Sequence, residues 1–419
     1  MKDMLNELLP AWQKMWEENG FGAPTAIQEA VFTPLKEGTS VLGISPTGSG
    51  KTLAYLLPLM TRVQKGAGNQ LLVLVSSQEL AIQITNVAQA WSAPLDLKVQ
   101  SLIGGANVKR QIEKLKERPE ILVGTPGRVL ELIKQKKLKS HLLEMIVMDE
   151  VDQLLAENHF NLIQDILRSA PREYQLAFFS ATADRVLTEV TTNFSNVAVI
   201  DTREADQSAG EVHHYYLETT VRKKVDQLAR LSRIDGFQAM VFFNQLADLG
   251  AAEDKLLYEG VPVVSLASDQ NKQLRKMAID RFKDGQASLL LTTDLGARGL
   301  DFAALPYVIM YEPPLSVESY IHRSGRVGRM GAAGTVITLL ASHEKRDLQK
   351  ITKEAGVALQ AVYLHSRQLT TTRPEKETVA TPLVKERQPK EKLHTVTQKV
   401  EKKQKKRKKN QKNKGLRRK

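Results

Sequence analysis

The chain has 419 residues, enough for two domains with sizeable cores, and its 42% apolar content is ordinary for a folded protein. It has no cysteine, which excludes disulfides, thiolate metal sites and cysteine nucleophiles and fits a reducing compartment. The net charge of +13 is concentrated in Ser366–Lys419, which holds 20 Lys and Arg against 5 Asp and Glu, while the preceding 365 residues hold 40 against 42. A near-neutral body with a cationic tail predicts a polyanionic partner for the tail.

The first stretch of the chain, Met1–Asn19, has four acidic residues spread among apolar ones. It lacks the basic and apolar regions of a signal peptide. No run in the sequence approaches the roughly 18–20 apolar residues that a membrane span needs. The sequence therefore predicts a cytoplasmic monomer that does not associate with membranes.

Short apolar runs recur through the first half, separated by helical patterns such as Gln78–Ala90 and Val108–Lys116. Runs this short and rich in β-branched residues predict buried parallel strands, and their alternation with helices predicts an α/β sheet. The runs are Val41–Ile44, Leu71–Val75, Ile121–Val123, Met145–Met148, Leu176–Phe179 and Val197–Ile200.

The pattern pauses at the polar stretch Thr202–Glu211 and then restarts, which predicts a linker at 204–211 between domains at 1–203 and 212–365. The second set of runs is Met240–Phe243, Val261–Leu266, Leu289–Thr292, Tyr307–Met310 and Val336–Leu340. The apolar periodicity stops after about His365. We therefore predict a disordered basic tail at 366–419, because it buries too little apolar surface to offset the entropy of ordering it.

The strongest local signal is the segment Ser45–Thr52 (SPTGSGKT), which follows one strand run and precedes a helical pattern. Its glycines allow backbone N–H groups to surround a phosphate chain, and the helix N-terminus adds positive charge. Lys51 would reach the β and γ phosphates, and Thr52 would contact Mg²⁺. A plain strand–helix turn is the alternative, and the GKT ending favours the phosphate site. The predicted phosphate-binding residues are Ser45, Thr47, Gly48, Ser49, Gly50, Lys51 and Thr52.

A second signal, Asp149–Asp152 (DEVD), follows the strand run Met145–Met148. Asp149, at the end of the strand, could hold Mg²⁺, and Glu150 could orient an attacking water. A charged helix start would also place acidic residues here. The functional interpretation therefore depends on the phosphate segment.

The order of these motifs resembles the DEAD-box RNA helicases of superfamily 2, over roughly Gly20–Gly331. The resemblance implies two tandem RecA-like parallel-sheet domains and an RNA-dependent ATPase with ATP and Mg²⁺ as cofactors. In Gly20–Gln28 it implies that Gln28 bonds the adenine edge and that Phe21 stacks on the adenine ring. Taken alone, that segment would favour a proline-capped helix entry.

Shorter segments of the first half gain roles only through the resemblance, since each would otherwise be ordinary turn chemistry. Ser180-Ala181-Thr182 is similar to the segment that couples ATP hydrolysis to strand separation, which implies coupling roles for Ser180 and Thr182. Gly104-Gly105 and Thr125–Arg128 are similar to segments that contact the RNA backbone. The implied RNA contacts are Gly105, Thr125, Pro126 and Arg128.

In the second half, His322–Arg329 places three arginines and two glycines in eight residues. Arginine stabilises charge on a transferring γ-phosphoryl group, although a solvated basic loop is the alternative. By resemblance, Arg326 and Arg329 reach across a cleft to ATP, and His322 couples this segment to the Ser180–Thr182 segment. The remaining implied roles are a ribose contact for Asp301 and RNA contacts for Asn244 and Arg298.

The chain departs from the family pattern mainly on the predicted RNA side. Val151 replaces the alanine of the name motif but leaves all three carboxylates. The family's Pro-Thr-Arg-Glu-Leu is Ser76–Leu80 (SSQEL) here, which loses an RNA-phosphate arginine. Ala267-Ser268 replaces His-Gly, and Lys272 replaces the glutamine of Gln-x-x-Arg, while Arg275 is kept. We expect ATPase chemistry to survive and the tail to compensate for an altered RNA grip through salt-sensitive attraction.

The predicted function is ATP-dependent, local unwinding or remodelling of RNA duplexes and RNA–protein complexes. The phosphate segment and Ser101–Val108 look most like the small YfmL-type DEAD-box proteins of Gram-positive bacteria. That resemblance implies a role in large-subunit ribosome assembly or RNA metabolism, with single-stranded or short duplex ribosomal RNA and ribosomal precursor particles as partners. Two alternatives are a DNA helicase or translocase, and an RNA chaperone, annealing protein or clamp that acts mainly through its basic tail.

Overall fold

The computed structural model of the protein describes residues 4–155, 159–206, 210–267, 270, 272–297, 300, 302, 305–328 and 331–373. Within them lie two seven-stranded sheets in which all neighbouring strands are parallel. The α/β prediction is therefore confirmed for both halves of the chain.

The first sheet has the strand order β3-β4-β2-β5-β6-β1-β7. Its strands are β1 (Ser40–Ile44), β2 (Leu71–Leu74), β3 (Val99–Leu102), β4 (Ile121–Gly124), β5 (Met145–Asp149), β6 (Gln175–Ser180) and β7 (Val197–Asp201). The carboxyl ends of β1, β5 and β6 are adjacent, because Ile44 pairs with Ser180 and Asp149 pairs with Phe179. The phosphate segment, the DEVD segment and the Ser180–Thr182 segment therefore leave the sheet at one edge.

Helices cover both faces of the first sheet. They are α1 (Met4–Glu7), α2 (Pro10–Glu18), α3 (Ala26–Lys36), α4 (Lys51–Met60), α5 (Gln78–Ser92), α6 (Val108–Leu115), α7 (Pro126–Lys134), α8 (Val151–Leu155), α9 (His159–Ser169) and α10 (Asp184–Asn193). Alternate residues of one strand enter different cores: Val41 lies in one cluster and Leu42 in the other. Burial on both faces explains why the strands are continuous apolar runs.

The second sheet repeats this arrangement in the order β10-β11-β9-β12-β13-β8-β14. Its strands are β8 (Val212–Glu218), β9 (Ala239–Phe243), β10 (Val263–Leu266), β11 (Leu289–Thr293), β12 (Tyr307–Met310), β13 (Gly334–Leu340) and β14 (Gln360–Ala361). Its helices are α11 (Lys224–Leu231), α12 (Leu246–Tyr258), α13 (Lys272–Lys283), α14 (Asp294–Ala297), α15 (Val317–Ser324) and α16 (Lys345–Glu354). The described residues of the predicted linker region, 202–206 and 210–211, belong to no helix or strand.

The folded part continues past the boundary predicted at residue 366. A hairpin of β15 (Tyr363–His365) and β16 (Gln368–Thr370) is antiparallel, and Leu369 packs against the second-domain core. Its turn residues, Ser366 and Arg367, have φ angles of 47° and 61°, a conformation for which glycine and asparagine are the usual signals. The sequence therefore carried no turn signal here. Residues 374–419, the rest of the predicted tail, lie outside the described residues.

None of the helices that the structure describes has the length and apolar content that crossing a bilayer requires.

Candidate functional site

The phosphate segment forms a closed loop between β1 and α4. Gly48 and Gly50 have φ angles of 87° and 78°, in the left-handed region that favours glycine. The Lys51 ammonium donates to the carbonyl oxygens of Ser45 and Pro46 at 2.9 and 2.8 Å. The Ser45 and Ser49 hydroxyls lie 2.8 Å apart and are buried. The glycines, the lysine and the start of α4 thus meet in one loop, and phosphate binding there stays a prediction.

The Gly20–Gln28 segment is tied directly to this loop. Gln28 is buried; its Oε1 accepts from the Thr25 backbone N–H at 2.9 Å, and its Nε2 donates to the Gly50 carbonyl at 3.3 Å. The Thr25 hydroxyl donates to the Ser49 carbonyl at 2.7 Å. The helix-entry alternative is therefore also true, because Thr25 and Gln28 form a capping box at the start of α3.

Phe21 belongs to an aromatic cluster beside this segment. Its ring meets Trp16 edge-on at 5.2 Å and lies parallel to Trp91 at 6.4 Å between centroids. The Trp16 indole donates to the Gly22 carbonyl at 2.8 Å. Phe21 is half-buried within this cluster, and stacking on adenine stays a prediction.

Asp149 sits at the end of β5 and is only 5% exposed. Its Oδ1 accepts from the Glu150 backbone N–H at 2.9 Å, and its Oδ2 accepts from the Tyr55 hydroxyl at 3.0 Å. Burial, with a further contribution from the charge of Glu150, raises the pKa of Asp149 to about 6, although Lys51 opposes the shift. Burial and the neighbouring carboxylate therefore disfavour the ionised form of Asp149, and a bound cation would offset both effects.

The donor set fits Mg²⁺ better than a metal held by protein ligands alone. The described residues contain no group of three or more His, Cys, Asp or Glu placed to hold an ion. Mg²⁺ usually keeps several waters and binds one or two carboxylates together with substrate phosphates. Thr52 hydrogen-bonds to Tyr55, which in turn binds Asp149, so the hydroxyl and the carboxylate are neighbours.

Glu150 follows Asp149 with a φ of 52°, a left-handed conformation that is uncommon for a non-glycine residue. The Ser76 hydroxyl lies 3.0 Å from Glu150 Oε2 and 3.0 Å from Gln153 Oε1. Backbone strain of this kind concentrates at functional sites. The Glu150 side chain is thereby placed at the sheet edge, between the phosphate loop and the end of β2.

A chain of hydrogen bonds joins the two halves of the molecule. The Ser180 hydroxyl donates to Asp152 Oδ1 at 3.2 Å and lies 3.3 Å from the Thr182 hydroxyl. His322 Nε2, on α15 of the second half, lies 2.6 Å from Asp152 Oδ2. Burial lowers the pKa of His322, but its hydrogen bond and attraction to Asp152 outweigh burial and raise the pKa overall. Despite burial, the same partner lowers the pKa of Asp152. The two groups therefore form an ion pair.

The arginine-rich segment of the second half approaches the phosphate loop. A Cβ placed on Gly325 would lie 2.8 Å from Thr47 Cβ, so only glycine allows this contact. Arg326 is 9% exposed, and its Nη1 donates to the Leu300 carbonyl at 2.6 Å. Its charge and that of Glu150 both affect the pKa of His322. Arg326 and Glu150 thus share one neighbourhood with the phosphate loop.

Three predicted site residues, Arg298, Asp301 and Arg329, lie outside the described residues, as does Ser268. Their proposed ribose, RNA and phosphate contacts stay predictions.

Asn244 is held within the second domain. Its Nδ2 donates to the Pro313 carbonyl at 2.9 Å, and its Oδ1 accepts from Arg323 at 2.7 Å. Arg323 also makes a two-pronged contact with Asp294 at 2.7 and 2.8 Å. The side chain of Asn244 thus positions α15, and an RNA contact would have to use its remaining hydrogen-bonding capacity.

The predicted RNA segments lie together beyond the β2, β3 and β4 strand ends. Gly105 has a φ of 65°. Thr125 and Pro126 occupy the N-cap and first position of α7, and Arg128 pairs with Glu131 at 2.9 Å. Arg128 Nη1 also donates to the Ala106 carbonyl at 3.5 Å, and a phosphate contact by this side chain stays a prediction.

Sequence reasoning missed several residues that the structure brings to the site: Tyr55, Asp152, Ser76 and the Arg323–Asp294 pair. Tyr55 could have been found, because it lies four residues after Lys51 on one helix and therefore on the same face. Asp152 lay inside a motif already identified. The positions of Ser76 and Asp294 depend on long-range packing that no local pattern reports.

Comparison with known proteins identifies the family. The family model for the DEAD/DEAH box helicase matches residues 25–190, and that for the helicase conserved C-terminal domain matches residues 223–331. The chain is 44% identical to the probable ATP-dependent RNA helicase YfmL of Bacillus subtilis, over 84% of this chain and 94% of that one. It is 37% identical to the DEAD-box ATP-dependent RNA helicase CshC of Bacillus cereus, over 89% and 96%.

The fold is similar to that of Saccharomyces cerevisiae Dbp5 bound to RNA and ADP–BeF3, with a TM-score of 0.76 and 27% identity over 85% of this chain and 94% of that one. The predicted architecture of two tandem RecA-like domains is thereby confirmed. Motifs, fold and relatives agree, and the chain belongs to the DEAD/DEAH box helicase family.

Proposed function

We propose that the protein is an ATP-dependent RNA helicase that locally unwinds or remodels RNA duplexes and RNA–protein complexes. The observation that carries this proposal is the Ser180–Asp152–His322 chain, which links the carboxylate motif of the first half to the arginine segment of the second. Relatives covering most of the chain are named as ATP-dependent RNA helicases, which supports the same activity here.

The phosphate loop and the Gly20–Gln28 segment would bind ATP. Lys51 would exchange its contacts with two loop carbonyls for contacts with the β and γ phosphates. Gln28, already on the loop, would read the adenine edge, and Phe21 would stack on the ring. Thr52 and Asp149 would hold Mg²⁺, Asp149 through a water. When bound, the ion would neutralise charge on the phosphates.

Hydrolysis would use groups from both halves. Glu150 would orient the attacking water, and Arg326 and Arg329 would stabilise charge on the γ-phosphoryl group in the transition state. Because the arginines come from the second domain, hydrolysis would require the two domains to be in contact. The contact between Gly325 and Thr47 supports this arrangement.

RNA would bind across both domains through backbone and ribose contacts, at Gly105, Thr125, Pro126, Arg128, Asn244 and Arg298. Such contacts carry no base-edge information, so the core would discriminate little between sequences. If RNA and ATP both favour the closed form, each should raise the affinity for the other. Hydrolysis would reopen the cleft and release the RNA.

The proposed setting is bacterial ribosome assembly, at the large subunit, in the cytoplasm, with ribosomal RNA or precursor particles as substrate and the protein acting as a monomer. Similarity to a bacterial relative named as a probable ATP-dependent RNA helicase, together with the basic end of the chain, which suits a polyanionic partner, motivates this proposal. Crosslinking in cells followed by RNA sequencing would test it. Enrichment of ribosomal RNA is expected, and enrichment confined to unrelated messenger RNAs would contradict it.

The activity itself is tested by ATPase and unwinding assays with matched RNA and DNA strands. We expect RNA, and not DNA, to stimulate ATP hydrolysis. Equal stimulation of ATP hydrolysis by DNA would favour the DNA helicase alternative. A Glu150→Gln variant should bind ATP and RNA but lose repeated unwinding. If it remodels RNA as well as the parent does, the protein is an RNA chaperone, annealing protein or clamp acting mainly through its basic tail, and not a helicase.

A further inference from the structure

Ser76 stands where the family pattern has proline, and its hydroxyl reaches the carboxylate proposed to orient water. We propose that Ser76 is a positioning residue that holds the Glu150 side chain in place for hydrolysis. The inference rests on the proposed ATPase function and adds a residue that the motif pattern does not contain. It also links the altered segment Ser76–Leu80 to ATP hydrolysis, in addition to the RNA side that the family resemblance implies for it.

The hydroxyl has one proton and faces two acceptors, Glu150 Oε2 and Gln153 Oε1, each at 3.0 Å. An ionised carboxylate is the stronger acceptor, so the proton goes to Glu150. The terminal amide of Gln153, turned about its last bond, can present its NH₂ group to the same hydroxyl oxygen. The hydroxyl then donates to Glu150 and accepts from Gln153, which fixes its orientation.

Glu150 needs such a contact because its backbone and its side chain are anchored separately. Its N–H donates to Asp149 Oδ1 at 2.9 Å, which fixes the backbone in its left-handed conformation. The half-buried side chain still has several rotatable bonds, and small misplacements of a group that orients a nucleophile are costly. The Ser76 hydroxyl removes that freedom.

The neighbours of Ser76 connect this contact to other parts of the molecule. The Ser77 hydroxyl caps α5 by accepting from the Leu80 backbone N–H at 3.2 Å. Gln78 lies against Gly104, where an added Cβ would be 3.2 Å from Gln78 Nε2. Glu79 pairs with Arg275 of the second half at 3.0 Å. A short segment therefore runs from Glu150 to the predicted RNA surface and to the contact between the two halves.

A series of replacements at residue 76, which differ in how strongly the side chain donates a hydrogen bond, tests the proposal. Ser76→Ala should lower RNA-stimulated kcat about tenfold, because a hydrogen bond to a charged group is lost, while KM for ATP stays unchanged. Ser76→Thr keeps the hydroxyl and should restore most of the rate. Ser76→Cys, a weaker donor, should fall between them. A role in folding alone would not produce this order at constant KM.

Ser77→Ala is the matched control, because it removes the neighbouring hydroxyl and a helix cap without touching Glu150. It should lower the melting temperature and leave kcat at low temperature unchanged. In a Glu150→Ala background, Ser76→Ala should cause no further loss, since the two residues act as a unit.

If the parent hydrolyses ATP in the presence of RNA and Ser76→Ala has the same kcat, the positioning role of Ser76 is wrong, whereas the proposed function still stands. A further tenfold loss in the Glu150→Ala background would also overturn it, because Ser76 would then act through another group. A parent that shows no RNA-stimulated hydrolysis would overturn both proposals.

Discussion

At the scale of single residues, the site concentrates negative charge that the fold itself only partly neutralises. Asp149 is buried beside Glu150, and its pKa is raised to about 6 by burial and, second, by that neighbour. The Tyr55 hydroxyl, the Glu150 N–H and the charge of Lys51 oppose this effect without cancelling it. The protein thus maintains an unfavourable carboxylate at the proposed Mg²⁺ position, and proteins commonly give up stability at functional sites in this way.

Asp149→Asn should therefore stabilise the protein while abolishing hydrolysis. The folded pKa of about 6 lies above the ordinary 3.8, so the folded parent holds the proton more tightly, and its stability falls as pH rises through this window. The Asp149→Asn variant has no carboxyl group at this position and therefore does not lose this stability as pH rises. Its gain in the free energy of unfolding should be near zero at pH 4 and reach about 2–3 kcal/mol above pH 7.

Urea unfolding of parent and variant at several pH values measures this difference. Tyr258→Phe, at a side chain that is 93% exposed, serves as a control and should show no pH-dependent difference. A variant that is less stable than the parent at pH 7.5 would contradict the account of Asp149.

Much of the residue-level site could be predicted because phosphate loops are local. Gly48, Gly50 and Lys51 are fixed by a strand, a turn and a helix that follow one another in the chain. Ser76 could not be predicted, because its contact with Glu150 spans 74 residues and arises from the parallel pairing of β2 with β5. The sequence suggested a proline-capped helix entry as the alternative to adenine binding, whereas in the structure Thr25 and Gln28 form the cap and the Gln28 amide also bonds to the loop.

At the scale of elements, α15 and the DEVD segment meet through His322 and Asp152. The short contact and the opposite pKa directions of the two groups indicate a buried ion pair between the domains. Burial makes such a pair depend on the charge of both partners, since an unpaired buried charge is costly. The groups around His322 are Asp152, Glu150 and Arg326, of which the two carboxylates favour its charged form and the arginine opposes it.

Closure of the two domains should consequently weaken at high pH. His322 has a pKa raised above 6.5, so its contribution is complete below that pH and is lost as pH rises through the raised value. Asp152 has a lowered pKa and stays ionised throughout this range. The closed fraction with RNA and a non-hydrolysable ATP analogue should be lower at pH 9 than at pH 6.5.

Energy transfer between two dyes, one on each domain, can report closure. Because the chain has no cysteine, the dyes can be attached specifically at Lys109→Cys and Asp254→Cys, both of which are exposed positions. His322→Gln should remove the pH dependence, whereas His343→Gln, at an exposed histidine, should keep it. If closure of the His322→Gln variant still depends on pH, another titratable group causes the pH dependence.

Most strands predicted from apolar runs are buried on both faces, with the edge strand β7 as the exception, because it has no fully buried residue. Less apolar strands were missed. β3 (VQSL) and β8 (VHHYYLE) mix polar and apolar residues, and their exposure alternates or is only partial. β8 gains its place through pairing with β13 and through the short β14 beside it. Tertiary pairing, not local propensity, decided these elements.

At the scale of the whole molecule, charge is divided between a near-neutral body and a basic end. Residues 388–419 hold 15 Lys and Arg against 2 Asp and Glu. In the body, the second-half arginines Arg323 and Arg275 are engaged by acidic partners, Asp294 and Glu79. General attraction for RNA should therefore come largely from the end of the chain.

Removal of residues 388–419 should weaken RNA binding and flatten its dependence on salt. Each phosphate neutralised on a single strand contributes about 0.7 to the slope of log affinity against log salt. A tail that contacts three or more phosphates would therefore reduce the slope by about 2 or more when deleted. Fluorescence anisotropy at several salt concentrations measures this, and an unchanged slope would exclude the tail from RNA binding.

In the proposed mechanism, one ATP site is shared by both domains, and Arg326 acts across the cleft. RNA-stimulated, single-turnover ATP hydrolysis by Arg326→Ala, measured alongside ATP affinity and melting temperature, tests this arrangement. Arg346→Ala, at an exposed arginine, is the control. We expect Arg326→Ala to hydrolyse ATP about 10³-fold more slowly, or slower still, with ATP affinity and folding retained, as for other arginines that stabilise phosphoryl transfer. A folded variant that hydrolyses ATP at the parent's rate would contradict it.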